Sequence, residues 1–200
     1  MIDKVILAND FVTLEPIAES HIDGILEAGQ FPEIWQYMPV AMSTKDHVRQ
    51  FIGYADQVHS DGNGLYFTIV DQSTKKIVGS TGYWNADLAN RRVEIGFTWI
   101  TPGYQRTHVN TACKILLLTH GFESMNLNRV EFKTDSLNLR SQNALKRIGA
   151  VEEGTLRQHM IQPDGRLRDS VYFSVIREEW LKVKSNLDQM LKSNDESTLK

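Results

Sequence analysis

The chain has 200 residues, 41% of them hydrophobic, which suffices for one sizeable buried core and matches the size of a single domain. Its 22 Lys and Arg residues stand against 25 Asp and Glu residues, and the formal charge of -3 argues against a nucleic-acid-binding protein. No segment reaches the ~20 apolar residues of a membrane span, and the N-terminus lacks a signal-peptide pattern. We therefore expect a cytoplasmic protein with neither a membrane nor a nucleic acid as partner.

The first sixty residues predict a strand or hairpin followed by two helices. Apolar residues at helical spacing mark both helices, with Ser20 as a candidate N-cap of the first and Ser43 or Thr44 of the second. The predicted elements are a strand or hairpin over 4–17, a helix over 19–29 and a helix ending in a turn over 43–64.

The middle and end of the chain predict a mixed sheet. Short polar links join three strands into an antiparallel unit, and the alternation of strands and helices after it is typical of a parallel crossover. The predicted strands are 65–70, 76–84, 92–100 and 129–135 with a closing hairpin over 152–161 and 169–176, and the predicted helices are 111–125, 138–149 and 177–191. We interpret the chain as one α+β domain over residues 1–180, with a polar C-terminal helix or tail over 181–200.

The segment "TPGYQRTHVNT", residues 101–111, connects a predicted strand to an apolar helix and is unusually polar for a connector. Free backbone N–H groups and the positive end of a helix dipole meet at such a loop, so it favours an anion such as pyrophosphate. Arg106 adds a positive charge, and Asn110 or Thr111 is a candidate N-cap. An ordinary polar turn remains the alternative on the loop alone.

Other chemistries lack their motifs. The sequence contains no G-x-x-x-x-G-K-[ST] loop for a nucleotide, no H-E-x-x-H or other zinc spacing, and no G-x-S-x-G nucleophile turn. The single cysteine, Cys113, lies inside an apolar run, which predicts a buried thiol rather than a nucleophile. No metal is expected.

The order of elements and three motifs resemble the GNAT acetyltransferases, in their RimJ/RimL-like branch. The motifs are "VEIGFTWI" before the Gln/Arg-rich loop, the strand "VEFKTD", and "NLRSQNALKRIGAVEEGTLR", which is similar to the family's N-x-x-S-x-x-A/L-x-x-x-x-G segment. The resemblance spans roughly residues 9 to 180. It implies a mixed, mostly antiparallel twisted sheet flanked by helices, acetyl-CoA as donor and a primary amine as acceptor.

The resemblance also assigns residues to the coenzyme. Those expected to contact CoA are Ile100, Gln105, Arg106, Thr107, His108, Val109, Asn110, Thr111, Asn138 and Ser141. His108 and Asn110 stand where the family loop has Gly and a small residue, and a side chain at φ > 0 costs on the order of 1 kcal/mol. A degenerate relative that binds CoA or another ligand without turnover is therefore the competing hypothesis.

An amine must lose a proton before it attacks a thioester, and the proposed general base is Glu94. Strict alternation along 92–100 would place Glu94, Gly96 and Thr98 on one face and the apolar residues Val93, Ile95, Phe97 and Trp99 on the other. A solvated strand carboxylate is the alternative for Glu94, and a plain N-cap is the alternative for Asn138.

Two acids and an acceptor wall complete the expected site. Ser141, which the resemblance places near the CoA sulfur, and Tyr172 are the candidate acids. Trp35, Tyr37, Met38 and Trp84, with Glu94, are expected to line the acceptor pocket between the early helices and the 161–168 turn. The acceptor stays open between a protein N-terminus and a small-molecule amine, and a homodimer is considered as an assembly.

Overall fold

One continuous sheet of eight strands organises the chain, which is described here by a computed structural model over residues 1–198, with side chains through Ser193. Leu199 and Lys200, the end of the predicted polar tail, lie outside the described residues. The strands in chain order are β1 (Leu7–Ala8), β2 (Val12–Pro16), β3 (Leu65–Asp71), β4 (Ile77–Asp87), β5 (Arg92–Ile100), β6 (Arg129–Asp135), β7 (Val151–Ile161) and β8 (Leu167–Ile176). Their spatial order is β1-β2-β3-β4-β5-β6-β8-β7.

Every neighbouring pair in this sheet is antiparallel except β5 and β6, which run parallel. The expected mixed, mostly antiparallel sheet is therefore confirmed. The parallel pair is joined by the predicted crossover helix, as a parallel connection requires.

Five helices flank the sheet: α1 (Ile22–Gly29), α2 (Lys45–Ser60), α3 (Val109–Thr119), α4 (Leu139–Ile148) and α5 (Trp180–Thr198). Thr44 caps α2, since its hydroxyl accepts the backbone N–H of His47 at 3.2 Å. The predicted cap Ser20 is wrong, because it lies in a 3-10 turn that precedes α1. His21 holds the N-cap position there without a side-chain bond.

Two apolar cores lie on opposite faces of the sheet. One packs α1 and α2 against the sheet through residues such as Ile25 and Phe51, and the other packs α3, α4 and α5 against it through Leu117 and Ile148. Helix α5 contributes Val183, Leu187 and Leu191 to the second core. The predicted C-terminal helix is therefore amphipathic, and its apolar stripe packs against the rest of the chain through Leu191.

The sheet splits in its middle. Strands β5 and β6 pair only over 92–94 and 129–131, and beyond Glu94 and Glu131 they have no pairing with each other. A cleft therefore opens between residues 95–100 of β5 and residues 132–135 of β6.

A bulge in β5 reverses the face of its side chains beside this cleft. Trp99 pairs with Ser80 of β4, and Gly96 pairs with Gly82. Between these pairs, Phe97 and Thr98 stand opposite the single residue Thr81, and Phe97 has φ 50°. An extra residue in one strand shifts the alternation by one position.

The predicted alternation of β5 is therefore wrong beyond Gly96. Val93 and Ile95 lie in the core under α3, whereas Phe97 and Trp99 pack in the core under α1 and α2. Thr98 faces α3, where its hydroxyl accepts the Nζ of Lys114 at 3.1 Å. Glu94 stays opposite Val93 and Ile95, on the α1 and α2 side, and therefore shares its face with Phe97 and Trp99. The prediction that Glu94 points away from these aromatic residues is wrong.

Candidate active site

A cavity of about 840 Å³ fills the cleft between β5 and β6 and continues under the loop that precedes α3. It is lined by eleven of the predicted site residues, namely Tyr37, Met38, Trp84, Glu94, Ile100, Gln105, Arg106, Thr107, Asn110, Asn138 and Ser141. Five others do not line it: Trp35, His108, Val109, Thr111 and Tyr172. The split sheet thus brings most of the predicted site together.

The loop at one end of the cavity offers several unused hydrogen-bond donors. The backbone N–H groups of Arg106, Thr107, His108, Asn110 and Thr111 donate to no acceptor among the described residues. They precede or begin α3, whose dipole places positive potential at the same point. Such a cluster is suited to a phosphate or pyrophosphate.

The strained residue of this loop is Arg106, with φ 63°, and not His108, whose φ is -64°. The expected strain at His108 is therefore wrong. His108 instead occupies the N-cap position of α3 without a side-chain bond, and its ring packs on Phe11 with centroids 4.8 Å apart. The alternative caps Asn110 and Thr111 are also wrong, because both lie inside the helix.

Val109 and Thr111 are fully buried in the first turn of α3. The Thr111 hydroxyl accepts a bond from Arg147 of α4 at 3.3 Å, which ties the two helices together beside the cavity. Their side chains therefore position the loop, while any contact with a ligand falls to the backbone.

Gln105 fastens the loop to its surroundings. Its Nε2 donates to the carbonyl of Ile100 at 2.8 Å, and its Oε1 accepts from Arg140 of α4 at 2.7 Å. Arg140 is thereby drawn to the mouth of the cavity, where it joins Arg106 and Arg147 as a lining cation. Three guanidinium groups at one end favour an anionic ligand there.

Helix α4 begins on the opposite wall of the cavity. Asn138 is its N-cap, since the side-chain oxygen accepts the backbone N–H of Ser141 at 3.0 Å. The structural alternative for Asn138 is therefore confirmed, although the residue also lines the cavity. Gly149 ends the helix at φ 97°, a conformation that favours glycine. Ser141, in the first turn of the helix, lines the cavity with its hydroxyl free of any partner among the described residues.

Glu94 is buried at the point where β5 and β6 diverge. Its Oε2 lies 3.5 Å from Nζ of Lys133 on β6 and accepts from Nδ2 of Asn85 on β4 at 3.1 Å. Burial raises the pKa of this carboxyl, and the opposing influence of Lys133 and Asn85 is smaller. The absence of a side chain at Gly96, beside Oε1, leaves room next to the carboxylate. The solvated alternative for Glu94 is therefore wrong.

Four cavity or near-cavity residues were not identified from the sequence. Lys133 comes from β6, which is distant in sequence from Glu94, so no local pattern marks it. Asn85 comes from the neighbouring strand β4 and lies where the pairing of β4 with β5 is irregular, so simple alternation does not predict its contact with Glu94. Lys114 is 4% exposed, and burial lowers its pKa to about 8. Arg168 of β8 is 6% exposed and also lines the cavity. Of these four, only Lys114 had a usable sequence signal, because it is the one charged residue inside the apolar run "ACKILLL".

The far end of the cavity is aromatic. Trp84 and Phe97 pack edge to face with ring centroids 6.2 Å apart, and Tyr54 of α2 lies against both rings. Tyr37 and Met38 complete this wall. It lies next to Glu94, so an amine held against the aromatic rings would be near the carboxylate.

Trp35 and Tyr172 are the remaining two of the five predicted residues that do not line this cavity. Trp35 donates its indole N–H to the carbonyl of Gly29 at 2.9 Å and lines a smaller pocket of about 350 Å³ that Tyr37 and Met38 share. The residues Gln162 to Arg166 of the β7–β8 turn close that pocket. Tyr172 is partly exposed, and its ring centre lies 6.0 Å from Nζ of Lys133. Its role as an acid stays a prediction.

The model of the GNAT acetyltransferase domain matches residues 12–151, which is more than half of the chain. The chain belongs to the GNAT acetyltransferase family. The resemblance inferred from the motifs, the fold and the enzyme class are thereby confirmed.

Individual relatives agree with this membership. The chain is 27% identical over 175 residues to the uncharacterized N-acetyltransferase p20 of Bacillus licheniformis, covering 87% of this chain and 97% of that protein. It is 23% identical over 134 residues to the ribosomal protein uS5-alanine N-acetyltransferase of Escherichia coli (strain K12), covering 64% and 66% of the two chains. A GCN5-related N-acetyltransferase from Brucella melitensis superposes with a TM-score of 0.88 at 26% identity, over 95% of this chain and 86% of that one.

Acetyl-CoA, the donor that the family implies, fits the residues of the cavity. The unused N–H groups and the guanidinium groups of Arg106, Arg140 and Arg147 suit its phosphates, and the cleft suits a narrow extended arm. Within residues 1–198, no group of three or more His, Cys, Asp or Glu side chains is arranged to hold a metal ion. None of the helices in that range combines the length and apolar character needed to cross a bilayer.

Proposed function

We propose that this acetyltransferase uses acetyl-CoA to acetylate a primary amine by direct attack in a ternary complex. The observation that carries the proposal is the buried carboxyl of Glu94, with its raised pKa, in the same cavity as a loop of unused N–H donors. A base and an anion site that share one cavity fit a donor bound by its phosphates and an acceptor bound beside the base.

Glu94 acts first, by accepting a proton from the acceptor's ammonium group, directly or through one water. An ammonium group has a pKa of ~8 on an α-amine and ~10.4 on a lysine, so it is mostly protonated at neutral pH. A carboxylate whose pKa lies closer to neutrality is a better match for this task than an ordinary one. Lys133 and Asn85 hold the Glu94 carboxylate in place through Oε2, which leaves Oε1 facing the open side at Gly96.

Bound acetyl-CoA supplies an activated thioester whose sulfur leaves as a thiolate. Ser141 is the proposed acid that donates a proton toward that sulfur, since its hydroxyl lines the cavity without another partner among the described residues. A thiol pKa near ~8.5 makes the thiolate a fair leaving group, so this donation contributes less than base catalysis. Tyr172 stays the second candidate acid.

The acceptor is proposed to lie against Tyr37, Tyr54 and Trp84, beside Glu94. The relative from Escherichia coli is named for acetylating the alanine of a ribosomal protein, which supports a peptide N-terminus as one acceptor class. A small-molecule amine is the other class. The expected homodimer and the cytoplasmic location stay predictions.

The proposal is tested with Glu94→Gln and the control Glu123→Gln, a glutamate that accepts from Trp180 and Lys184, does not line the cavity and is not among the groups that shift the pKa of Glu94. Acetylation of a panel of peptides and small amines is followed by CoA release, and acetyl-CoA binding by calorimetry. We expect Glu94→Gln to lower kcat/KM by a factor of ~10² to 10⁴ with nearly unchanged acetyl-CoA affinity, and the control to change little.

The pH profile adds a second criterion. The base form of Glu94 is lost as the pH falls through its raised pKa, so wild-type kcat/KM should drop on the acid side and the Gln variant should lack that limb. Wild-type rates in the Gln variant would remove Glu94 from the mechanism. Tight CoA binding without turnover of any amine would favour the degenerate relative instead.

A further inference from the structure

Arg168 is a buried cation that the proposed mechanism does not use. It lies on β8 opposite Met160 of β7, and both residues line the cavity. Arg168 is only 6% exposed. Its guanidinium nevertheless makes no hydrogen bond and no ion pair within 4.0 Å among the described residues. Its Nε is fully buried without a partner. A buried charge without a partner is costly, so such a group needs a ligand or a reason.

The charges around Arg168 do not supply that partner. Asp135 already holds Arg166 at 2.6 Å, and Glu94 already holds Lys133 at 3.5 Å. Both carboxylates favour the charged guanidinium from a distance, while burial, the largest influence, lowers the pKa of Arg168 and Arg166 opposes its charge too. Tyr172 and His159 are the remaining titratable neighbours, and burial together with Lys133 and Arg168 lowers the pKa of His159, so its imidazole is neutral at pH 7. The group therefore contains three cations and two carboxylates, which leaves one positive charge in excess.

Resting on the proposed function, we propose that the acceptor is an amine that carries a carboxylate, and that Arg168 binds this carboxylate while Glu94 receives the proton of the amine. A planar guanidinium matches a carboxylate in two parallel hydrogen bonds and would become paired on binding. Free amino acids and peptides with an acidic residue near the N-terminus share this chemistry. Polycationic amines such as polyamines and aminoglycosides do not, because they would add positive charge beside an unpaired guanidinium.

The first experiment measures acceptor selectivity. Acetylation is followed by CoA release for aspartate and its diamide, for a C-terminally amidated peptide beginning with Asp and its Asn counterpart, and for spermidine. In the wild type we expect each carboxylate form to exceed its amide by at least ~10-fold in kcat/KM, because the amide leaves the guanidinium unpaired. The amino acid and peptide arms distinguish the two sources of the carboxylate.

Arg168→Met should bring those ratios close to one by slowing only the carboxylate forms. Arg157→Met, an exposed position on the same hairpin, is the matched control and should keep the wild-type ratios. Two results would overturn the carboxylate site while leaving the acetyltransferase function intact. One is that the wild type acetylates spermidine or the amides faster than the carboxylate acceptors. The other is that Arg168→Met keeps the wild-type ratios.

Thermal stability gives an independent readout that does not need turnover. If Arg168 is held unpaired for a ligand, Arg168→Met should melt at a higher temperature than the wild type without ligand. Glutarate, a dicarboxylate without an amine, should raise the melting temperature of the wild type and not of the variant. A lower melting temperature in Arg168→Met, with no effect of glutarate on the wild type, shows a structural arginine and overturns the proposal. Absence of turnover with a preserved glutarate effect contradicts the proposed function alone.

Discussion

Lys114 allows the energetic reasoning to be tested without any substrate. Its Nζ lies 3.1 Å from Thr98 Oγ1 and 5.5 Å from the centre of the Phe132 ring, and no carboxylate lies within 4.0 Å among the described residues. Burial lowers its pKa from the ordinary 10.5 to about 8, against a smaller opposing influence of Cys113. Replacing Lys114 with Met keeps the volume and removes the charge.

The expected gain follows from the pKa. At ~1.36 kcal/mol per pKa unit, the shift corresponds to about 3 kcal/mol of cost for holding the ammonium in the folded state. The Met variant also loses the cation–π contact with Phe132 and the hydrogen bond to Thr98, which together stabilise the wild type by about 1 to 2 kcal/mol and so reduce the expected gain. Thr98 keeps a partner in the variant, because its hydroxyl also lies 2.8 Å from that of Thr81. Lys114→Met should thus be more stable by about 1 to 2 kcal/mol at pH 7, or roughly 2 to 8 °C in Tm.

The pH dependence has a definite sign. The folded pKa lies below the unfolded one, so the cost is fully present below pH ~8 and disappears as the pH rises from ~8 to ~10.5, where the unfolded chain also loses the proton. The Tm difference between variant and wild type should shrink from pH 7 to pH 10. Lys182→Met, on the exposed side of α5, controls for the change in net charge. A less stable Met variant at pH 7, or a constant difference up to pH 10, would refute the reasoning.

Three further outcomes are expected. Ser141→Ala should lower kcat by roughly 10-fold or less, and a loss larger than that of Glu94→Gln would reverse the ranking of acid and base. His108→Gly should lower Tm slightly, because the imidazole ring packs on Phe11, and it should not change CoA binding, because the ring does not line the cavity. Calorimetry at several pH values should therefore give the same pH profile of CoA affinity for variant and wild type, and a different profile would show that the imidazole reaches the phosphates. Cys113, whose pKa burial raises to about 12, should react with a thiol reagent only as fast as the protein unfolds, and rapid labelling of folded protein would contradict its burial.

The elements were predictable where one physical signal decides them. The apolar stripe of α2 and the short polar links around β4 are local, and so is Gly149 at the end of α4. The N-cap of α3 was not predictable. His108, Asn110 and Thr111 are all polar, and the sequence does not reveal which of them precedes the first helical residue.

The site was predictable only in part, because its chemistry depends on long-range pairing. Glu94 was found from its strand and the resemblance, but the bulge at Phe97 costs energy locally and exists because packing around it fixes the backbone. Lys133 and Arg168 come from β6 and β8, so their approach to the cavity depends on a sheet order that no local pattern reveals.

The short pairing between β5 and β6 also has a consequence for cooperativity. Strands β1 to β5 and β6 to β8 are joined within the sheet by only the residues 92–94 and 129–131, so amide hydrogens at the inner edges beyond them are open to exchange. An extended ligand with amide groups can pair with both edges, as added strands do in other proteins. Binding of the proposed donor should then slow amide exchange across residues 95–100 and 132–135 together, so that the coenzyme closes the gap in the sheet and adds a backbone link between two groups of strands that share one core.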